Sequence, residues 1–116
     1  MVDDDDAIRS LVIETLRDEG YRTVSAVNGR DALEQLSEAP EPPSVILLDM
    51  RMPIMNGWEF AEAYRQLDKP KSPIVVVTAG RDASAKAADI AAEAYIGKPF
   101  ELDDLLAVVE RFVPRS

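Results

Sequence analysis

The 116-residue chain has neither cysteine nor histidine. Without cysteine it can form no disulfide, no thiolate metal site and no thiol redox centre. Without histidine it can build no His-dependent catalytic triad and no zinc site. Long apolar runs are missing as well. Runs such as residues 45–48 and 74–77 fall far short of the roughly 20 residues a membrane-spanning helix needs. No basic-then-apolar stretch opens the chain, so no secretory leader is expected and the cytoplasm is the expected location. Positive charge is in deficit: 13 Lys and Arg face 22 Asp and Glu, a formal net charge of −9. Such a surface repels phosphate backbones and anionic membranes, so direct binding to nucleic acid or membrane is not expected. A cation or another protein is the natural partner.

What is present is an ordinary globular mixture, 47% hydrophobic and 30% charged, amounting to one domain with one core. Short apolar strands alternate with amphipathic helices. Ile8, Leu11, Val12, Thr15 and Leu16 recur at helical spacing after an acidic run, and Gly20 stops that helix. Residues 21–27 read as a strand, and Asn28 as the N-cap of a helix carrying Ala32, Leu33 and Leu36. Residues 40–43 are a Pro-rich loop, and residues 44–49 a continuously apolar strand of the kind covered on both faces. A turn with Pro53 and Gly57 leads to a helix that turns Phe60, Ala61, Tyr64 and Leu67 inward. A strand at 74–78, an alanine-rich helix at 83–92 and a short strand at 94–96 follow. The last helix, 101–112, buries Leu102, Leu105, Leu106, Val109 and Phe112.

Five β-α units in series predict an α/β, doubly wound, flavodoxin-like fold. Its five-stranded parallel sheet would have strand order 2-1-3-4-5, counting the expected strands along the chain. The first strand is expected to be truncated, because only Met1 and Val2 precede the acidic run. Ligands of this architecture gather at the carboxyl ends of the strands. Asp3 and Asp4 follow the first strand, Asp49 ends the third, Thr78 ends the fourth and Lys98 follows the fifth. Carboxylates brought together there would raise one another's pKa unless a cation sat among them. A hard, all-oxygen donor set points to Mg²⁺. With Lys98 as a fixed positive charge and Thr78 as a hydroxyl donor, the set suits phosphoryl transfer, with Asp49 as the nucleophile.

Four segments, in order along the chain, resemble the motifs of the receiver domain of two-component response regulators. They are Val2-Asp3-Asp4-Asp5-Asp6-Ala7-Ile8-Arg9, Asp49-Met50-Arg51-Met52-Pro53-Ile54-Met55-Asn56-Gly57, Thr78-Ala79 and Lys98-Pro99-Phe100. The resemblance implies that Asp49 is the phosphoacceptor. Asp3, Asp4, Asp49 and the Arg51 backbone carbonyl would hold Mg²⁺, and Thr78 and Lys98 would contact the phosphoryl group. It further implies that Thr78 and Tyr95 are switch residues and that Lys98–Pro99 is a cis peptide. Ile8 as the first core position favours Asp3 and Asp4 over Asp5 and Asp6, which are left as cap and first-turn residues. The implied partners are a sensor histidine kinase or phosphotransfer protein, and a downstream protein target met through the fourth helix, fifth strand and fifth helix. Residues 1–116 are expected to be one receiver domain without an output domain. It would be a signalling domain that assists its own phosphorylation and dephosphorylation rather than an enzyme.

Two features depart from the pattern. The Gly-Ala turn that usually ends the fourth helix is replaced by Ala92-Glu93-Ala94, and Ile90 is that helix's only bulky apolar residue. Other readings fit less well. A phosphatase of the haloacid dehalogenase type wants a second Asp two residues after the nucleophile, where Arg51 stands. A flavodoxin-like cofactor carrier wants a Ser/Thr/Gly-rich loop after the first strand, where the acidic run stands. A receiver-like module that is never phosphorylated would have no use for the intact set Asp3, Asp4, Asp49, Thr78 and Lys98. Trp58, beside other apolar residues at a helix start, is expected to pack rather than bind a ligand.

Overall fold

A computed structural model describes residues 1–80 and 82–113; Arg81 and residues 114–116, the end of the expected domain, lie outside the described residues. Five helices are described: α1 (Asp6–Asp18), α2 (Gly29–Glu38), α3 (Gly57–Arg65), α4 (Ala83–Asp89) and α5 (Leu102–Phe112). Three strands form continuous ladders: β1 (Ile46–Leu48), β2 (Ile74–Ala79) and β3 (Ala94–Lys98). They pair in parallel in the order β1-β2-β3.

Beyond β1 the sheet continues as single bridges. Val2 pairs in parallel with Leu48 on one side and with Ala26 on the other. Across the sheet the chain therefore runs Ala26, Val2, β1, β2, β3, which is the expected order 2-1-3-4-5 with its first two members cut to one residue each. The first strand is as short as its two apolar residues allow. That shortness also limits its neighbour. Residues 21–27 were expected to be a strand, yet only Ala26 pairs, while Val24 and Val27 are exposed. A strand needs a partner of its own length, and here the partner ends where the aspartates begin.

Alternation along the central strands explains why both faces are covered. Ile46, Leu48, Ile74 and Val76 enter one core with Phe60, Tyr64, Ala32 and Ile90 from α2, α3 and the end of α4. Leu47, Val75 and Val77 enter the other with Val12, Leu16, Leu105 and Val109 from α1 and α5. Period-two alternation with both sets apolar yields the unbroken hydrophobic runs seen in the sequence. Leu11, expected in the α1 stripe, is 47% exposed, lying on the flank of a stripe formed by Val12 and Leu16. No described helix is long and apolar enough to cross a membrane.

The helix ends follow local chemistry. Asp5 caps α1 by accepting from the Ile8 N–H, and Asn28 caps α2 by accepting from Asp31. Asn56 and Glu59 form a reciprocal capping box on α3. Gly20, at φ +90°, ends α1. α4 is shorter than expected, ending at Asp89, and has no side-chain cap bond at its start.

Candidate functional site

Parallel strands put their carboxyl ends on one edge, and the chain places its acidic residues there by main-chain pairing. The Asp49 N–H donates to the Val2 carbonyl at 2.9 Å, and the Asp3 N–H to the Ala26 carbonyl at 3.2 Å. Carboxylate oxygens of Asp3, Asp4 and Asp49 all lie within 4.8 Å of one another. Asp3 is fully buried, Asp49 is buried and Asp4 is exposed. Asp5 and Asp6 stay outside this cluster as cap and first-turn residues of α1.

Lys98, at the end of β3, reaches into the cluster. Its Nζ donates to Asp3 Oδ2 at 2.6 Å and lies 3.8 Å from Asp49 Oδ1. The Asp3 Oδ1 accepts from the Asp5 N–H at 2.9 Å. The Asp49 carboxyl is pushed up to about 6, first by burial and then by the Asp3 charge; Lys98 and a hydrogen bond from the Arg51 N–H pull it the other way. A buried carboxylate beside others is an uncomfortable arrangement without a further cation.

Thr78 ends the described burial of β2 at 1% exposed, and its Oγ1 has no hydrogen-bond partner. A buried hydroxyl without a partner is costly in a finished core. Tyr95, on β3, is 52% exposed, so its ring lies outside the core in this state. The Lys98–Pro99 peptide is cis. The side chain of Arg51, two residues after Asp49, is exposed.

The loop after Asp49 is pinned at both ends. Met50 and Met52 are buried, and the Gly57 N–H donates to the Met50 carbonyl at 2.9 Å. A Cβ on Gly57 would meet the Met50 Cα at 2.8 Å and the Asp49 carbonyl oxygen at 3.0 Å, so only glycine lets α3 start this close to Asp49. Trp58 packs against the core and donates its Nε1–H to Asp89 at 3.1 Å, joining α3 to α4.

Sequence reasoning missed Arg9. Its Nη1 donates to the Asp3 carbonyl at 2.8 Å and its Nη2 to the Asp6 carboxylate. A cation in the first turn of a helix opposes the helix dipole, and that oddity was the available signal.

A family profile described as the response regulator receiver domain matches residues 1–110. Sporulation initiation phosphotransferase F of Bacillus subtilis is 32% identical over 115 residues, which is 98% of this chain and 91% of that protein. The DNA-binding transcriptional regulator NtrC of Escherichia coli is 36% identical over 115 residues, covering 97% of this chain but 24% of that protein. This chain therefore spans about a quarter of that longer relative. Among solved structures, the chemotaxis response regulator CheY4 of Vibrio cholerae superposes with a TM-score of 0.84 at 34% identity, covering 97% of this chain and 94% of that one.

Proposed function

This chain belongs to the response regulator receiver domain family, a module of phosphorelay signalling, and from that premise we propose that Asp49 is its phosphoacceptor. The observation that carries this is the position of Lys98, whose ammonium lies 2.6 Å from Asp3 and 3.8 Å from Asp49 at the shared strand edge. One fixed positive charge thus serves both the metal-ligand candidates and the nucleophile.

An Asp49 carboxylate oxygen attacks the phosphorus of a phosphohistidine. The P–O bond forms as the P–N bond breaks, and the electron pair of that bond returns to the imidazole of the donor. Lys98 offsets charge on the transferred oxygens, and the unpartnered Thr78 hydroxyl donates to one of them. The all-oxygen cluster of Asp3, Asp4 and Asp49, with the Arg51 carbonyl, fits Mg²⁺. When bound there, the ion supplies neutralising charge for the transfer. The donor is a sensor histidine kinase or phosphotransfer protein, in the cytoplasm, and the domain assists its own phosphorylation and dephosphorylation rather than acting on a separate substrate.

The output is a shift between pre-existing states. Thr78 engages the phosphoryl group, and Tyr95, on β3 two residues before the Gly97 that pairs with Thr78, moves inward as α4 adjusts. A downstream protein then meets the face made by α4, β3 and α5, where Ser84, Ala88, Tyr95 and Arg111 line a shallow hollow.

Calorimetric Mg²⁺ titration of two variants tests the metal assignment. Asp4→Ala should weaken binding at least about tenfold, as expected for a lost ligand, while Asp6→Asn, which removes the charge but keeps the oxygen that accepts from Arg9, should change it little. Equal losses in the two variants would reduce the acidic run to a diffuse patch.

A further inference from the structure

Asp3 is held at every polar atom. Its N–H donates to Ala26, its Oδ1 accepts from the Asp5 N–H and its Oδ2 from Lys98. Its carbonyl oxygen accepts from Arg9 Nη1 at 2.8 Å. That carbonyl belongs to the peptide group joining Asp3 to Asp4, so whatever fixes it also fixes the direction in which Asp4 leaves the strand. Asp4 needs such a constraint, because it is exposed and lies in a bend between the last bridged residue and α1.

We infer that Arg9 is a positioning residue for the cation site, setting the Asp3–Asp4 peptide so that both carboxylates face Asp49. Three observations converge on this. The Arg9 side chain is largely buried, at 15% exposure, although it stands in the first turn of a surface helix. It spans two anchors, the Asp3 carbonyl and the Asp6 carboxylate, and a planar two-armed donor does so with a rigidity that an ammonium lacks. It also places a cation at the positive end of a helix, against the dipole, and beside a cluster that Mg²⁺ is to enter. Charge alone would favour its removal, so its place is accounted for by geometry. Rotation of the Asp3–Asp4 peptide would carry the Asp4 carboxylate out of the 4.8 Å cluster.

This inference rests on the metal assignment above, and the two fail differently. The test is Mg²⁺ affinity of the full chain by calorimetry for the unaltered protein, Arg9→Met and Arg9→Lys, each checked for a cooperative urea transition. Positioning predicts that Arg9→Met binds about tenfold more weakly, the usual cost of losing a group that orients a metal ligand. It predicts a loss of the same order in Arg9→Lys, which keeps the charge but not the two-armed reach. The loss should persist in about 0.5 M salt, where a purely electrostatic effect is screened. If the unaltered protein binds Mg²⁺ and Arg9→Met binds as well or better, the positioning role is overturned and the acceptor site stands. Equal affinity in Arg9→Lys overturns it too, and decides the matter should Arg9→Met not fold. If the unaltered protein takes up no Mg²⁺, the metal assignment falls and the role of Arg9 with it.

Discussion

At Asp49 the protein gives up stability to keep a carboxylate buried. Burial and the Asp3 charge push its carboxyl up to about 6 from 3.8, whereas the unfolded chain ionises near the ordinary value. Between about pH 4 and 6 the folded state therefore holds a proton that the unfolded state has already lost. Stability falls as pH rises through that window and is lowest, on this account, above the folded value. Asp49→Asn cannot ionise, so without metal at pH 7 it should be more stable than the parent by about 1–3 kcal/mol. The difference should shrink towards zero near pH 4, where the parent carboxyl is protonated in the native state. Urea midpoints at the two pH values measure this, and an Asn variant no more stable at pH 7 would contradict the burial argument. Asp49 and Lys98 were legible in the sequence because each sits where an apolar strand gives way to polar chain. That Lys98 sits closer to Asp3 than to Asp49 was not legible, since pairing among converged charges depends on tenths of an ångström. Arg9 was hidden for another reason: its partner is a backbone carbonyl, which no side-chain motif announces.

Two helices end alike, and only one has the residue the ending requires. In α1 the Tyr21 N–H donates to Leu16 and the Gly20 N–H to Arg17, with Gly20 at φ +90°. In α4 the Ala92 N–H donates to Ala87 and the Ala91 N–H to Ala88, with Ala91 at φ +51°. Both are Schellman endings, which favour glycine at the left-handed position. The missing Gly-Ala turn noted in the sequence is thus a Cβ placed in left-handed backbone at Ala91, one residue before the replaced triplet. A left-handed alanine costs roughly 1–2 kcal/mol, less the entropy glycine loses on folding. Ala91→Gly should therefore stabilise the protein by about 0.5–1 kcal/mol, and Gly20→Ala, with no neighbour within 4 Å of the added Cβ, should destabilise it by about 1 kcal/mol. Thermal melts should move in opposite directions for the two variants; movement in the same direction would refute the shared ending. α4, with seven residues, no N-cap bond and this strained close, is the shortest helix described, and also the one the proposed switch must move. Helix boundaries were readable from Asp5, Asn28 and Gly20, whose capping chemistry is local. The 21–27 strand was overcalled because β pairing depends on a partner elsewhere in the chain, and Val2 offers one residue of it.

At the scale of the whole molecule, the fold class followed from the alternation of short apolar strands with amphipathic helices. The site followed from the strand ends that this alternation brings to one edge. The sheet's left half is bridged rather than laddered, yet it still delivers Asp3 beside Asp49, because paired main-chain bonds with Ala26 on one side and with Leu47 and Asp49 on the other fix the height at which the first strand ends. What lay beyond sequence was the setting of three side chains: Tyr95 exposed, the Thr78 hydroxyl without a hydrogen-bond partner, Lys98 closest to Asp3. We propose that all three belong to the domain before Asp49 accepts a phosphoryl group. Intact-mass measurement after exposure to a small-molecule phosphodonor, with and without Mg²⁺, tests this most directly. The unaltered protein should gain the mass of one phosphoryl group only when Mg²⁺ is present, and Asp49→Asn should gain none. Full uptake by Asp49→Asn, or equal uptake without the ion, would contradict the account.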